Sequence, residues 1–210
     1  MTFDPRDEWS FKTHFIGIVF GVFATVVMTV TQWNTGTGRL LSFIMFGLSM
    51  IALYTCSSIY HYYNGSADRL LRLRKLDHSM IYVLIAGTYT PFIYICMPGP
   101  RKMVFLAAMW IIAAVGIIVK VCWLNAPRWL YTGMYLLMGW AIVFSPSIFS
   151  NMSSQAIFWL VAGGISYSIG AVCYIIKKPD LFEGFGFHEV FHVFILLGTL
   201  CHFIGVEFFI

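Results

Sequence analysis

The stretch HEVFHVFILLGTLCHFIGVEFF, from His188 to Phe209, sets three histidines and two glutamates into an otherwise apolar run. A helix of that length crosses the roughly 30 Å hydrocarbon core of a bilayer at about 1.5 Å per residue. Working back along the chain, the same pattern recurs at Phe15–Gln32, Leu40–Tyr62, Ser79–Met97, Met103–Val119, Trp129–Phe149 and Ala156–Ile176. The connections are short and carry breakers, among them Asn34-Thr35-Gly36-Thr37-Gly38, Pro98-Gly99-Pro100, Pro127, Gly184 and Gly186. Residues 1–210 therefore read as one domain: an all-α membrane protein, a bundle of seven transmembrane helices.

Composition agrees with that reading. Of the 210 residues 60% are hydrophobic and only 10% charged, where a soluble domain carries about 25% charged residues. The net charge of +4 is unevenly placed, which points to orientation in a membrane and not to nucleic-acid binding. On the N-terminal side fall Arg6, Lys12, Arg69, Arg72, Arg74, Lys75, Lys120, Arg128, Lys177 and Lys178; on the other fall only Arg39, Arg101 and Lys102. The positive-inside rule then puts the N-terminus inside and the C-terminus outside, opposite to a G-protein-coupled receptor. Asp4, Asp7 and Glu8 are unlike a basic signal-peptide start, so the first helix is expected to direct insertion. The five cysteines form no C-x-x-C pair and read as small packing residues. The last span has no lysine for a retinal Schiff base, and the middle spans lack the polar stripe of a water-filled pore.

Ionisable groups at membrane depth are expensive, so their positions carry information. His61 ends helix two, Asp77 and His78 begin helix three, and His188, Glu189 and His192 begin helix seven. All three helix ends lie inside, which brings His61, Asp77, His188 and His192 to one depth. His188 and His192 are four apart and share a helix face. Two imidazoles from one turn and a third from another helix make a cup that suits zinc and leaves a fourth position for water. Asp77 can bind the metal directly or orient that water. Ser57 lies four residues before His61, either packing there or assisting. His202 is about 15 Å further along helix seven and is excluded from the cup. His188-Glu189-Val190-Phe191-His192 also matches H-E-x-x-H, where the glutamate serves zinc proteases as general base; at a helix N-terminus Glu189 can equally complement the dipole.

Ser57-Ser58-Ile59-Tyr60-His61, Asp77-His78-Ser79-Met80-Ile81-Tyr82 with Ala86-Gly87-Thr88-Tyr89-Thr90-Pro91-Phe92, and His188-Glu189-Val190-Phe191-His192 resemble three blocks of one family. This is the hemolysin III branch of the progestin and adipoQ receptor (PAQR) family. Glu8-Trp9 and Thr13-His14 are similar to its approach to helix one, and the likeness spans essentially the whole chain. The resemblance implies a zinc cofactor held by His61, His188 and His192, with Asp77 on the metal's water and Ser57 beside it. It also implies a multi-pass protein of the cell membrane linked to ceramidase-like lipid amide hydrolysis, ligand sensing or membrane-lipid homeostasis. An acidic residue at position 189 departs from many members, which counts against an essential base there.

Three functions follow as expectations. The first is a zinc-dependent hydrolase of a membrane lipid, with Asp77 as general base and Ser57 steadying the oxyanion or water. The second is a non-catalytic receptor or regulator with a structural zinc. The third, a pore-forming hemolysin, is disfavoured by the missing polar stripe, and Arg69–Lys75 reads as a basic piece resting on headgroups.

Overall fold

The computed structural model describes residues 5–210, so Asp4 lies outside the described residues. Among the described residues the fold is all-helical apart from turns and one isolated bridge between Phe182 and Phe185. The described residues form seven α-helices in order: α1 (Glu8–Gln32), α2 (Thr37–Tyr62), α3 (Ala67–Cys96), α4 (Arg101–Cys122), α5 (Arg128–Gly139), α6 (Ser154–Ile176) and α7 (Phe187–Phe209). Among the described residues, six of these are long and apolar enough to cross a membrane, α5 being the exception. Helices suit that environment because every backbone group is satisfied within the segment. Outward-facing Val30, Val104, Leu137 and Phe144 are 70% to 81% exposed, an apolar surface that lipid would cover.

Two elements differ from the sequence reading. The run Trp129–Phe149 is not one helix. α5 stops at Gly139 and the chain continues as two 3-10 segments, Ala141–Phe144 and Pro146–Asn151. The break is held from α3: the Tyr89 hydroxyl donates to the Gly139 carbonyl at 2.6 Å and accepts from the Ile142 amide at 3.1 Å. A side chain inserted into the ladder replaces a helical bond there, next to a weak helix former and ahead of Pro146, which lacks an amide proton. The second difference is at α3, which starts at Ala67 and not near Ser79. The basic segment Arg69–Lys75 is its first two turns, so Asp77 and His78 sit inside a continuous helix.

α1 packs on α2 and α7, α2 on α3, α3 on α4, and α6 on α7. Phe43, Phe46, Met50, Tyr54 and Phe92 are fully buried between them. Close approach depends on missing side chains: a Cβ at Gly17 would strike the Tyr54 ring, and one at Gly163 would strike His202. At one end of the bundle the Asp7 amide donates to the His61 carbonyl at 3.1 Å. At the other the Arg39 guanidinium reaches the Ile210 carbonyl at 2.7 Å and the Ser153 hydroxyl the Phe209 carbonyl at 3.2 Å. The start of α1 and the end of α7 thus lie at opposite ends.

Candidate metal centre

The last turn of α2 and the first two turns of α7 meet at the end of the bundle where α1 begins. There His61, His188 and His192 each offer a nitrogen within 4.8 Å of the others. His61 and His192 are both 2% exposed. The Nε2 atoms of His61 and His188 are 3.4 Å apart. Two nitrogens bound tetrahedrally at 2.0–2.1 Å from one zinc would be separated by about 3.3 Å. The spacing therefore fits a tetrahedral ion.

Hydrogen bonds on the far side of two rings fix which nitrogen faces inward. His61 Nδ1 donates to Asp7 Oδ2 at 2.9 Å. Thr13 has already committed its one hydroxyl proton to the Trp9 and Ser10 carbonyls, at 2.9 and 3.0 Å. Its oxygen can only accept from His192 Nδ1, 3.2 Å away. Both imidazoles are thereby held as the Nδ1–H tautomer with Nε2 as the lone-pair nitrogen, the form a metal requires. The ring of His14 lies flat against that of His192, with centroids 3.6 Å apart and planes 8° from parallel, and keeps that ring from tilting. The hydrogen bond from His61, with Arg6 beside it, draws the Asp7 carboxyl down to about 2.

Asp77 does not belong to the group of three. Its side chain is 13% exposed and lines the cavity next to the cup, with Oδ2 3.9 Å from His78 Nε2. The Ser57 hydroxyl is buried near Asp77 and makes no hydrogen bond to it. Glu189 is turned away. Its Oε2 accepts from the Gly186 amide at 2.9 Å, capping the start of α7, while its Oε1 accepts from the Ser10 hydroxyl. The helix-terminus role considered for it is the one it fills, and its carboxylate is taken up away from the cup. His202, as expected, stands apart, bonded to the Leu160 carbonyl at 3.1 Å.

Asp7, Thr13 and His14 escaped the sequence reading as site residues. Their signal was faint, because each precedes or opens a helix and is ordinary there on its own. Also not anticipated was a cavity of about 140 Å³ running from Asp77, His188 and His192 past Tyr135 and Ile195 to His202. From residue 188 to 202 along α7 is about 21 Å. Its volume is near that of the roughly 150 Å³ engineered cavity that admits benzene, enough for a segment of hydrocarbon.

A profile of the haemolysin-III related family matches residues 6–203. The chain belongs to this family. It is 34% identical over 201 residues to "Hemolysin-3" of Bacillus cereus, covering 94% of this chain and 89% of that one. It is likewise 34% identical over 199 residues to the "Hemolysin-3 homolog" of Bacillus subtilis (strain 168), at 94% and 91% coverage. A more distant relative is the "Adiponectin receptor protein" of Drosophila melanogaster, 28% identical over 189 residues, covering 78% of this chain and 42% of that protein. This haemolysin-III protein is therefore a multi-pass integral membrane protein of the hemolysin III branch of the PAQR family, and its histidine cup lies within the matched region.

Proposed function

We propose that this haemolysin-III protein is a zinc-dependent hydrolase of a membrane-lipid amide, placed in the plasma membrane with its N-terminus inside. The observation that carries this reading is the junction of the three-histidine cup with an apolar cavity, with Asp77 at the junction and outside the ligand group. Zinc, when bound by His61, His188 and His192, supplies a Lewis acid that polarises a carbonyl and acidifies a water. Asp77 takes a proton from the attacking water at its carboxylate and returns it to the leaving amine. Ser57 steadies the Asp77 charge from within hydrophobic surroundings. The cavity wall seats the acyl chain and excludes bulk water, which strengthens the electrostatics of the cup.

Seven crossings are part of the proposal, with α5 and its 3-10 continuation together making the fifth. Support comes from the distribution of ten Lys and Arg residues toward one end and three toward the other.

The test uses protein purified in detergent, its zinc content measured, and supplied with ceramide and with a phospholipid. Turnover should follow zinc content and vanish in Asp77→Asn. Fully loaded protein that hydrolyses neither lipid defeats the enzyme reading. The hydrogen bonds that two of the ligand histidines donate to Asp7, just ahead of α1, and to Thr13 in α1 favour a second reading, in which the metal staples α1, α2 and α7 in a non-catalytic regulator. Asp77→Asn would then alter nothing measurable. "Hemolysin" in the relatives' names describes those proteins; an apolar, side-chain-filled bundle gives no support to a pore here.

A further inference from the structure

Three cations gather about Tyr131 and Tyr174, behind the cup, and among the described residues none of them pairs with a carboxylate. Lys120, in the last turn of α4, is 2% exposed. Its Nζ reaches the Leu124 carbonyl only at 3.4 Å and lies over the Tyr131 ring at 3.5 Å from the centroid. Arg128, the first residue of α5, sits over the Tyr174 ring at 4.5 Å and donates to the Tyr174 carbonyl at 3.1 Å. The two tyrosines meet, with hydroxyl oxygens 3.2 Å apart. Arg74 comes from α3, four residues before His78 and hence on the same face. It lies within electrostatic reach of Lys120 and Tyr174. Among the described residues none of the three forms an ion pair; Asp77 acts on Lys120 from a distance without bonding to it.

This arrangement is one ring away from the reaction site. Tyr131 stacks on His78 with centroids 5.9 Å apart, and Tyr174 lies 5.7 Å from the His188 ring. Both tyrosines line the cavity. The positive-inside rule accounts for cations in loops and at exposed helix ends, but not for an ammonium group buried against an aromatic face. A buried cation without a counter-ion is costly, and a tyrosine ring offsets only part of that.

We propose that Lys120, Arg128 and Arg74 form an anion-binding subsite that takes the phosphate of a lipid headgroup, making the substrate or ligand an anionic lipid. This rests on the reading of the cavity as a lipid site. The cations gather at a helix end, the depth of headgroup phosphates, and basic pockets between transmembrane helices bind anionic headgroups. The guanidinium fork matches phosphate geometry, while the ammonium contributes a point charge.

The test is thermal unfolding of the full chain in detergent, titrated separately with short-chain phosphatidic acid, diacylglycerol of the same chains, and inorganic phosphate. Phosphatidic acid should raise Tm saturably and diacylglycerol should not. Lys120→Met and Arg128→Gln should each weaken the apparent affinity at least tenfold, and the more exposed Arg74→Gln covers the case in which Lys120→Met fails to fold. Equal shifts with phosphatidic acid and diacylglycerol, an unchanged response in the variants, or no response in the wild-type chain would each overturn the subsite. A full response to inorganic phosphate alone would assign it to the free ion and overturn the headgroup. Zinc content measured on the same samples separates this outcome from failure of the metal reading: metal-free protein that still answers phosphatidic acid loses the zinc and keeps the subsite.

Discussion

Asp7 Oδ2 lies 2.9 Å from His61 Nδ1, tying the residue ahead of α1 to the last turn of α2. An outer carboxylate of this kind orients a ligand imidazole and raises its basicity, and losing one typically costs 10- to 100-fold in metal affinity. Asp7→Asn is therefore expected to weaken zinc binding by about that factor, read by competition with a fluorescent chelator. An unchanged affinity would remove Asp7 from the site.

The same pair carries a pH expectation. A carboxyl depressed to about 2 when folded, against an ordinary 3.8, contributes stability above the unfolded value and loses it as pH falls through about 2. Asp7 is thus ionised throughout the range from pH 5 to 8, and the Tm gap between wild type and Asp7→Asn should stay constant across it. The Asp7 side chain is 41% exposed, so solvent screening keeps that gap small. A gap that closes between pH 8 and 5 would contradict the depressed carboxyl.

His61→Ala and His192→Ala should each lose bound zinc, while Asp77→Asn should keep it and lose about 10²- to 10⁴-fold in turnover, the usual contribution of a general base. Elemental analysis and a lipid hydrolysis assay on the same samples separate the two effects. Retention of metal in both histidine variants would end the zinc assignment.

Glu189→Gln offers the contrasting case. It weakens the bond that caps the Gly186 amide and the link to Ser10, which should lower stability by about 0.5–2 kcal/mol. Zinc content and turnover per folded molecule should be unchanged. A tenfold loss of turnover at full zinc occupancy would restore Glu189 as the base.

Tyr89→Phe removes both hydrogen bonds that bridge the end of α5. Leaving the Gly139 carbonyl and Ile142 amide unsatisfied should cost about 1–3 kcal/mol, seen as a lower Tm in detergent. A neutral result would mean that the break is set by Gly139 and Pro146 alone.

Helix positions were legible because lipid demands long apolar runs, and the meeting of His61 with His188 and His192 was legible because alternating spans bring their ends together. Three things were not. The break at Gly139 depends on a hydroxyl supplied from α3, fifty positions away in sequence. The early start of α3 was hidden because Arg69–Lys75 is too charged to read as a span, although its residues are good helix formers. Asp7, Thr13 and His14 gain meaning only from the side chains opposite them, which no local pattern announces.

The cup draws His61 from α2, its outer partners from α1 and the residue just ahead of it, and His188 and His192 from α7. During synthesis the chain must place six helices before the second half of the cup exists. The three-imidazole cup is therefore completed only by α7: a truncated or stalled chain, however well inserted, holds a single one of these histidines.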